Sequence, residues 1–446
     1  MVSATAARET TSFAPPVLTR GSTRSPRIGV LYPSGAGNLG DEAILQSTFR
    51  AIREMWPAAE ITAFTLHPAK TATNHGVEAE PLTGVHTRLF GAPRPDGPIP
   101  LRAAAWFARR TRRVPVIGRT ARFTSELIAS TFFETISLWR AQRWLRNADL
   151  VVASGGGQLD AVWGGTWGQP YALARWAWLA RRNGVPFALL SVGYGGAPRR
   201  LSRLLLRYAV SRAAYCSVRD AGSRELTMKL GVEAELPIVP DLAFALRPPP
   251  AERSRRPGLD VGVSPMTYLR PGSWPIENPD AYRRYVGLWI DLAKRVVARG
   301  DRVHLFVSDP GDMDAVRDVW AGLDDRSREH CSVAQVTSPD SLLALFRRLD
   351  VVISSRLHGV LLAIVATRPV LALSHERKVR AVMNDAGVGS FCLDLPTAVA
   401  DDVAQRFVDL ANQLDSCVRR LQDYATAARS AVRRQEDILP TLLRQR

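Results

Sequence analysis

Cysteine is scarce in this chain, and its spacing fits neither metal nor disulfide chemistry. The 446 residues include only four cysteines, which are Cys216, Cys331, Cys392 and Cys417. None of them forms a C-x-x-C pair or has zinc-finger spacing. His, Asp and Glu do not cluster at ligand spacing either, so we expect no metal ion and no cofactor. A disulfide framework is unusual in a chain this long, which favours a reducing compartment and a cytoplasmic protein.

Long apolar runs are absent as well. No stretch approaches the roughly 20 apolar residues that a membrane-spanning helix requires. Residues 1–26 are rich in Ser, Thr, Ala and Arg and lack the continuous apolar region of a signal peptide. We interpret residues 1–26 as a disordered N-terminal tail.

Acidic residues are outnumbered by basic ones. Asp and Glu total 42 against 59 Lys and Arg, which gives a net charge of +17. Such an excess favours phosphorylated metabolites, anionic membrane surfaces or nucleic acid as partners. Arginine on solvated faces explains the excess equally well. Nucleic acid is not expected, because the sequence has no RNA-binding signature and no helix-turn-helix cue.

What the chain does contain is an alternation of short β-rich runs with amphipathic helical segments. The first unit, "RIGVLYPSGAGNLGDEAILQSTFRAI", reads as a strand, a glycine-rich loop and a helix, which is typical of a Rossmann-like opening. A polar, proline-rich linker at 248–258 separates two such blocks. We therefore predict an α/β fold of two Rossmann-like domains facing each other across a cleft, and the chain length favours the same number of domains.

The boundaries of these domains follow from the same pattern. The predicted N-terminal domain spans 27–247 and carries a helical insertion at 91–147, dense in arginine and aromatic residues. The C-terminal domain is predicted at 259–395, and trailing helices at 396–446.

Glycine-rich loops follow strands of the first block, where ligands of parallel sheets bind. The loop "SGAGNLGDEAIL" supplies Asn38, Gly40 and Asp41, and "SGGGQLD" supplies three consecutive glycines, Gly155, Gly156 and Gly157. Small residues let the backbone approach a ligand, although glycine is also common in ordinary tight turns. No Walker A motif is present. Asp41 is equally well explained as an acid that stabilises a helix start.

Cationic and hydroxyl side chains follow other strands. In "SVRD", Arg219 comes just past a strand and suits a carboxylate or phosphate, or else a structural pair with Asp220. The segment "VVISSRLHGVLLAI" places four polar residues between a strand and a helix, namely Ser354, Ser355, Arg356 and His358. A lone histidine is most often structural. Ser-x-Arg-x-His at this edge favours anion binding or proton transfer instead. Downstream, "LSHERKV" adds His375 and Lys378.

Together these segments resemble a known family. "GNLGDEAIL", "SGGGQL", "SVRDAGS", "PDLAF", "SSRLHGVLLAIVATRPVLALSHERKV" and "NDAGV" occur in the order seen in polysaccharide pyruvyl transferases, over roughly 27–389. The resemblance implies a fold similar to GT-B glycosyltransferases. It also implies transfer of pyruvate from phosphoenolpyruvate to two hydroxyls of a saccharide, with formation of a ketal and release of phosphate. Two features differ from the family pattern. One is His375, at a position where the family often has tyrosine, and the other is the insertion.

On this interpretation each candidate residue has a role. Arg219 and Arg356, with Lys378, would hold the carboxylate and phosphate of phosphoenolpyruvate, and His358 would donate a proton. Asp41 would act as a base or contact an acceptor hydroxyl. Ser354, Ser355, Asn38 and the glycines would contact substrate. Phosphoenolpyruvate is a donor substrate here, not a cofactor.

Two other functions remain open from the sequence. A GT-B glycosyltransferase that uses a nucleotide sugar would share the fold, with Glu376 as the candidate for the donor ribose. A non-catalytic envelope-biosynthesis protein would also share it, although the intact Arg356 and His358 disfavour this.

The insertion suggests one further partner. Its aromatic residues lie among many arginines, and they include Trp106, Phe107, Phe132, Phe133, Trp139 and Trp144. Helices of this composition can lie on an anionic bilayer surface, which would suit a lipid-linked saccharide acceptor and peripheral contact with the inner face of the cell membrane. Aromatic packing inside, with arginine toward solvent, is the more common pattern and is favoured.

Overall fold

The structure is a computed structural model, and it describes residues 25–33, 37–84, 115–161, 164–196, 199–233, 235–250, 257–273 and 277–443. Between 115 and 161, side chains are described from Ser130 onward. The predicted N-terminal tail, most of the linker and the first part of the insertion lie outside these residues.

The N-terminal domain is built on a parallel sheet of six strands in the order β3-β2-β1-β4-β5-β6. The strands are β1 (Arg27–Leu31), β2 (Glu60–Thr65), β3 (Glu78–Pro81), β4 (Leu150–Ser154), β5 (Phe187–Val192) and β6 (Tyr215–Val218). The helices between them are α1 (Leu39–Met55), α2 (Pro68–His75), α3 (Pro115–Leu145), α4 (Gln169–Arg182), α5 (Arg200–Arg212) and α6 (Ala221–Met228). The central strands are entirely buried, as expected for a parallel sheet covered by helices on both faces.

The C-terminal domain repeats this architecture in the order β12-β11-β10-β7-β8-β9. Its strands are β7 (Asp260–Ser264), β8 (Arg302–Leu305), β9 (Cys331–Val333), β10 (Val351–Ser354), β11 (Val370–Ser374) and β12 (Cys392–Asp394). Its helices are α7 (Pro279–Ala298), α8 (Met313–Ala321), α9 (Asp325–Glu329), α10 (Pro339–Arg348), α11 (Leu357–Val365), α12 (Arg377–Asp385), α13 (Ala400–Ala411), α14 (Leu414–Glu436) and α15 (Leu439–Leu442). The predicted fold class, two Rossmann-like α/β domains, is confirmed.

The helix α3 changes the interpretation of the predicted insertion. Ala141 and Leu145 are buried in the core, and the Trp144 ring packs against Phe64 and over Gly29 of β1. A side chain at Gly29 would collide with that ring, so glycine is required in this strand. The described end of the predicted insertion is therefore the crossover helix that joins β3 to β4, and not an added element.

A buried polar cluster joins the C-terminal helix α14 to the N-terminal sheet. The side-chain oxygen of Gln435 accepts hydrogen bonds from the hydroxyls of Ser217 and Tyr215, and its amide donates to the Ser191 hydroxyl at 3.0 Å. Ser191 is fully buried with φ +49°, in the left-handed region. The last turn of α14 thus returns across the molecule and fastens the two domains together.

We expect Gln435→Ala to destabilise the protein by about 1–3 kcal/mol, because it leaves buried hydroxyls without partners. Urea unfolding followed by circular dichroism measures the loss. The matched control is Gln405→Ala on the exposed face of α13, where little change is expected. Equal stability of the two variants would contradict a fastening role for Gln435.

Candidate active site

The carboxyl edges of the two sheets meet, and the contact is made by the start of α1. The Leu39 amide donates to the Ser308 carbonyl at 2.8 Å, and the Asn38 side-chain amide donates to Asp309 at 3.0 Å. Ser308 and Asp309 follow β8 of the C-terminal domain. Since ligands bind beyond the carboxyl ends of parallel strands, this seam between the domains is the candidate active site.

Asn38 organises the loop that reaches the seam. Its side-chain oxygen accepts hydrogen bonds from the backbone N–H groups of Gly40 and Asp41, which makes it the N-cap of α1. The sequence placed the helix start near Glu42, whereas α1 begins at Leu39. Asp41 therefore lies in the first turn, where the helix dipole favours a negative charge.

Gly40 and His358 are in direct contact across the seam. A Cβ atom on Gly40 would overlap the imidazole of His358, so only glycine allows the ring to lie on the helix start. The side chain of His358 is partly exposed, but its Nε2 is buried and makes no hydrogen bond within the described part of the chain. Burial lowers the pKa of His358 to about 4. The Asp241 carboxylate opposes this, and the positive charges of Arg219 and Lys378 add smaller lowering effects. The ring is therefore neutral at pH 7.

Asp41 is held by Tyr32 beneath the glycine cluster. The Tyr32 hydroxyl donates to the Asp41 carboxylate at 2.8 Å, and a Cβ on Gly156 would strike that hydroxyl. The pKa of Asp41 is raised to about 7, chiefly by burial; the Tyr32 hydrogen bond opposes the rise, and nearby carboxylates contribute to it. A carboxyl group that titrates near neutral pH can accept or donate a proton under working conditions.

Arg219 is buried between two carboxylates. Its guanidinium lies 3.5 Å from Asp220 and 3.5 Å from Asp241, and its side chain is only 10% exposed. Burial opposes its charge, but Asp241 and Asp220 outweigh this and raise the pKa of Arg219. Gly193, after β5, gives the guanidinium its space. The contacts at 3.5 Å are long for charge-assisted hydrogen bonds, so an anionic ligand can compete for this group.

Arg356 forms a close ion pair with an acid that the sequence did not point to. Two of its guanidinium nitrogens donate to Asp312 at 2.6 and 2.8 Å, and Asp312 also accepts from the amide and hydroxyl of Thr267. Asp312 and Asp309 raise the pKa of Arg356 despite its burial. The guanidinium of Arg356 is thus paired with a carboxylate of its own domain. Less of its positive charge is left for a ligand than in the case of Arg219.

Ser354 and Ser355 are buried beneath the seam. The Ser354 hydroxyl accepts from the Arg356 amide at 3.2 Å, and Gly359 packs directly against it. The Ser355 hydroxyl accepts from Tyr285 at 3.2 Å. Both serines shape the turn that carries Arg356 and His358, which is a supporting position and differs from the substrate contact that the sequence suggested.

Lys378 faces the seam from the start of α12, with its ammonium 3.2 Å from Glu376. Asp160 of the N-terminal domain lies within electrostatic reach of both, and its carboxylate accepts a hydrogen bond from the Gly195 amide. Burial raises the pKa of Asp160, while Lys378 and Arg219 partly offset the rise. The same Glu376 also acts on His358 and Arg356.

The structure brings most of the predicted residues to one seam, and it adds three more. Asn38, Gly40, Asp41, Gly156, Arg219, Arg356, His358 and Lys378 lie there together. Gly155 instead packs in the core against Ile44 and Leu242, and Gly157 is exposed beside Asp160. The added residues are Tyr32, Asp160 and Asp241, each of which stands inside or beside a motif already recognised.

Among the described residues, no three metal-ligating side chains converge on a common point. No helix in the same part of the chain has the length and apolar character needed to cross a bilayer.

Solved structures with a similar fold are numerous but distant. HepE of Anabaena, in complex with UDP and glucose, is 14% identical, with 94% of this chain and 99% of that chain covered and a TM-score of 0.52. The S. aureus MnaA–UDP structure is 10% identical over 92% and 94% of the chains, also at a TM-score of 0.52. The UDP-GlcNAc 2-epimerase of Neisseria meningitidis, bound to UDP-GlcNAc, is 9% identical over 93% and 100%, at 0.50. These similarities show a GT-B-like fold.

No curated protein sequence matches the chain. The sequence profile described as "Polysaccharide pyruvyl transferase" does, over residues 38–377. That range runs from the Asn38 cap to the start of α12, and it includes Gly40, Arg219 and the Ser-x-Arg-x-His turn. The chain belongs to the polysaccharide pyruvyl transferase family.

Proposed function

We propose that the protein transfers the enolpyruvyl group of phosphoenolpyruvate to two hydroxyls of a saccharide and forms a pyruvate ketal. Two C–O bonds form at C2 of the donor, and the bond from C2 to the phosphate oxygen breaks. Of the two hydroxyl protons, one ends on the methylene carbon, which becomes a methyl group, and the other leaves with phosphate.

The observation that carries this proposal is the unpartnered imidazole nitrogen of His358. A buried polar atom without a hydrogen bond is costly and is uncommon in a folded protein. Nε2 is buried within electrostatic reach of the cations Arg219 and Lys378 and of the carboxylates Asp241 and Glu376. A phosphate or carboxylate oxygen placed there would satisfy the imidazole and both cations at once.

The proton can be delivered only after the donor binds. The pKa of His358 is lowered to about 4, mainly by burial, so the ring by itself cannot act as an acid at pH 7. Phosphoenolpyruvate carries several negative charges, which would stabilise the imidazolium and raise this pKa. Binding of the donor would thereby prepare His358 to protonate the methylene carbon or the departing phosphate.

Asp41 has the complementary properties of a base. Its carboxyl group is half ionised near pH 7, and it accepts a hydrogen bond from the Tyr32 hydroxyl. An acceptor hydroxyl that reaches Asp41 would lose its proton as it attacks C2. The Arg356–Asp312 pair would support the turn that holds His358, with the remaining charge of the guanidinium directed at the donor.

We expect His358→Ala to reduce phosphate release from phosphoenolpyruvate plus acceptor by about 10²- to 10⁴-fold, the usual contribution of a general acid. Phosphate release with a saccharide acceptor is the measurement. His330→Ala, at an exposed position near β9, is the matched control and should retain activity. Full activity of the His358 variant would contradict the proposal.

The same assay separates the alternatives. A nucleotide-sugar glycosyltransferase would release a nucleoside diphosphate from a sugar nucleotide and ignore phosphoenolpyruvate. The similar structures that contain UDP share only the fold with this chain. Glu376, the candidate for a donor ribose, lies at the start of α12 and pairs with Lys378.

Arg219→Ala should raise the KM for phosphoenolpyruvate by about 10- to 100-fold, the range expected for losing a hydrogen bond to a charged group. Steady-state kinetics at saturating acceptor measures the change. Arg219→Lys should recover part of it. Arg224→Ala, on the exposed side of α6, serves as the control. A KM unchanged in Arg219→Ala would exclude this residue from the donor site.

The pH dependence should report Asp41. Because its pKa is about 7 and a base must be ionised, kcat/KM should rise with pH through an inflection near 7. Tyr32→Phe removes a hydrogen bond that lowers this pKa, so the inflection should move to higher pH. Asp41→Asn should abolish the inflection. A profile that is the same in wild type and Tyr32→Phe would show that another group is titrating.

A further inference from the structure

One surface of the N-terminal domain concentrates the exposed apolar side chains. Helices α3, α4 and α5 cover the same face of its sheet, as their shared core shows. Six large apolar side chains on this layer are 45–61% exposed, and they are Phe132, Trp139, Trp167, Trp178, Leu201 and Leu204. All exposed phenylalanines and tryptophans of the described residues belong to this set.

The register of α3 against α4 places two of these tryptophans at a similar level along the helix pair. Tyr171 donates to Glu134 at 2.8 Å near one end of the helix pair, and the amide groups of Gln142 and Asn183 bond each other at 2.9 and 3.1 Å near the other. The two helices therefore run parallel. Trp139 of α3 and Trp178 of α4 lie at the same level between these contacts.

Each of these tryptophans has an arginine four residues later that lies over its ring. The Arg143 guanidinium is 5.6 Å from the Trp139 ring centre, and that of Arg182 is 5.8 Å from the ring of Trp178. The pairs keep flat apolar rings and positive charge together at the surface.

The apolar surface continues onto α5. This helix packs along α4, and its Ser202 hydroxyl is 2.8 Å from that of Thr166, which precedes Trp167. The Trp167 ring in turn contacts Tyr171 of α4 at 5.7 Å between ring centres. Leu201 and Leu204 lie one turn apart on the exposed side of α5.

The charge of this surface has one sign. Among the described side chains, ten exposed arginines belong to these helices and their ends, and they are Arg140, Arg143, Arg146, Arg181, Arg182, Arg199, Arg200, Arg203, Arg207 and Arg212. The described side chains of α3, α4 and α5 include a single acid, Glu134, which is buried and 2.8 Å from Arg175. Arg140 also pairs with Glu80 of the sheet edge.

We propose that this basic aromatic face, formed by the exposed side chains of α3, α4 and α5 with Trp167, docks the protein on an anionic lipid bilayer. Tryptophan prefers the headgroup level of a membrane. Each arginine near an anionic surface contributes about 1 kcal/mol of attraction. A protein partner would require matching acids, and a nucleic acid would use the arginines without needing the tryptophans and leucines inserted.

The direction of the face relative to the cleft fits a membrane-bound acceptor. Helices α4 and α5 begin at the carboxyl edge of the sheet, so Trp167, Leu201 and Leu204 lie toward the same edge as the candidate active site. This step rests on the proposed function. With the face docked, a saccharide attached to a membrane lipid would be held near the seam.

The test is flotation of the full chain with vesicles of phosphatidylcholine alone, or with a quarter phosphatidylglycerol, at low salt. We expect binding only to the anionic vesicles. Arg200→Glu with Arg203→Glu should weaken the partition at least about tenfold, since attraction is replaced by repulsion. Trp139→Ser with Trp178→Ser should weaken it by about fivefold or more through lost burial of the rings.

Matched controls lie on the C-terminal domain. Arg326→Glu with Arg419→Glu makes the same charge change at exposed positions, and Val399→Ser removes an exposed apolar side chain. Both should bind like wild type. Failure of the wild type to bind anionic vesicles overturns the proposal. Unchanged binding of the Trp139/Trp178 variant also overturns it, because the face would then be a general polyanion surface. Neither readout uses the pyruvyl transfer reaction.

Discussion

The contact between the imidazole of His358 and the start of α1 determines the arrangement of the rest of the site. Gly40 has no side chain, and this allows a ring from one domain to lie on the helix terminus of the other. The Leu39–Ser308 and Asn38–Asp309 hydrogen bonds fix the two edges at that distance. Burial of His358 in the same seam keeps its imidazole neutral at pH 7. The absence of a side chain at Gly40 thus affects both the packing of the two domains and the position of His358 in the seam.

Burial at this seam raises the pKa of a carboxyl group, Asp41, and lowers the pKa of an imidazole, His358. The pKa of Asp41 is raised to about 7 and that of His358 is lowered to about 4, in both cases chiefly by loss of water. At pH 7 the imidazole of His358 is therefore neutral, and the carboxyl group of Asp41 is half ionised. An anionic donor reverses this for His358, since its charge favours the imidazolium. On the proposed function, this arrangement makes proton transfer from His358 depend on binding of the donor.

Much of the fold and part of the site could be predicted from the sequence. Strand-to-loop transitions at Ser154, Val218 and Ser354 are marked by apolar runs that end in glycine or polar residues, so the carboxyl edge and its candidate residues were found. The edge strand β3 was missed because "EAEP" has no β-branched residue and is only partly buried. The pairing of Arg356 with Asp312 could not be predicted, since the two residues are 44 positions apart and only tertiary packing brings them together. Asp160 and Asp241 were missed for a different reason. An acid after a glycine cluster, as at Asp160, or after a proline, as at Asp241, resembles an ordinary turn or cap until its cationic neighbours are known.

The position of the excess charge is the last point that the sequence alone left undecided. A net charge of +17 suggested a cationic binding cleft or a cationic surface. In the seam, the cations are nearly matched by acids, since Arg219 lies beside Asp220 and Asp241, Arg356 beside Asp312, and Lys378 beside Glu376. On the layer of α3, α4 and α5 the exposed arginines have almost no acidic neighbours, so this layer carries much of the imbalance. On the proposed function, such matching helps the cleft to release phosphate after each turnover, because an unmatched cluster of cations would retain the product. For the proposed docking on an anionic bilayer, cations without acidic neighbours are favourable instead.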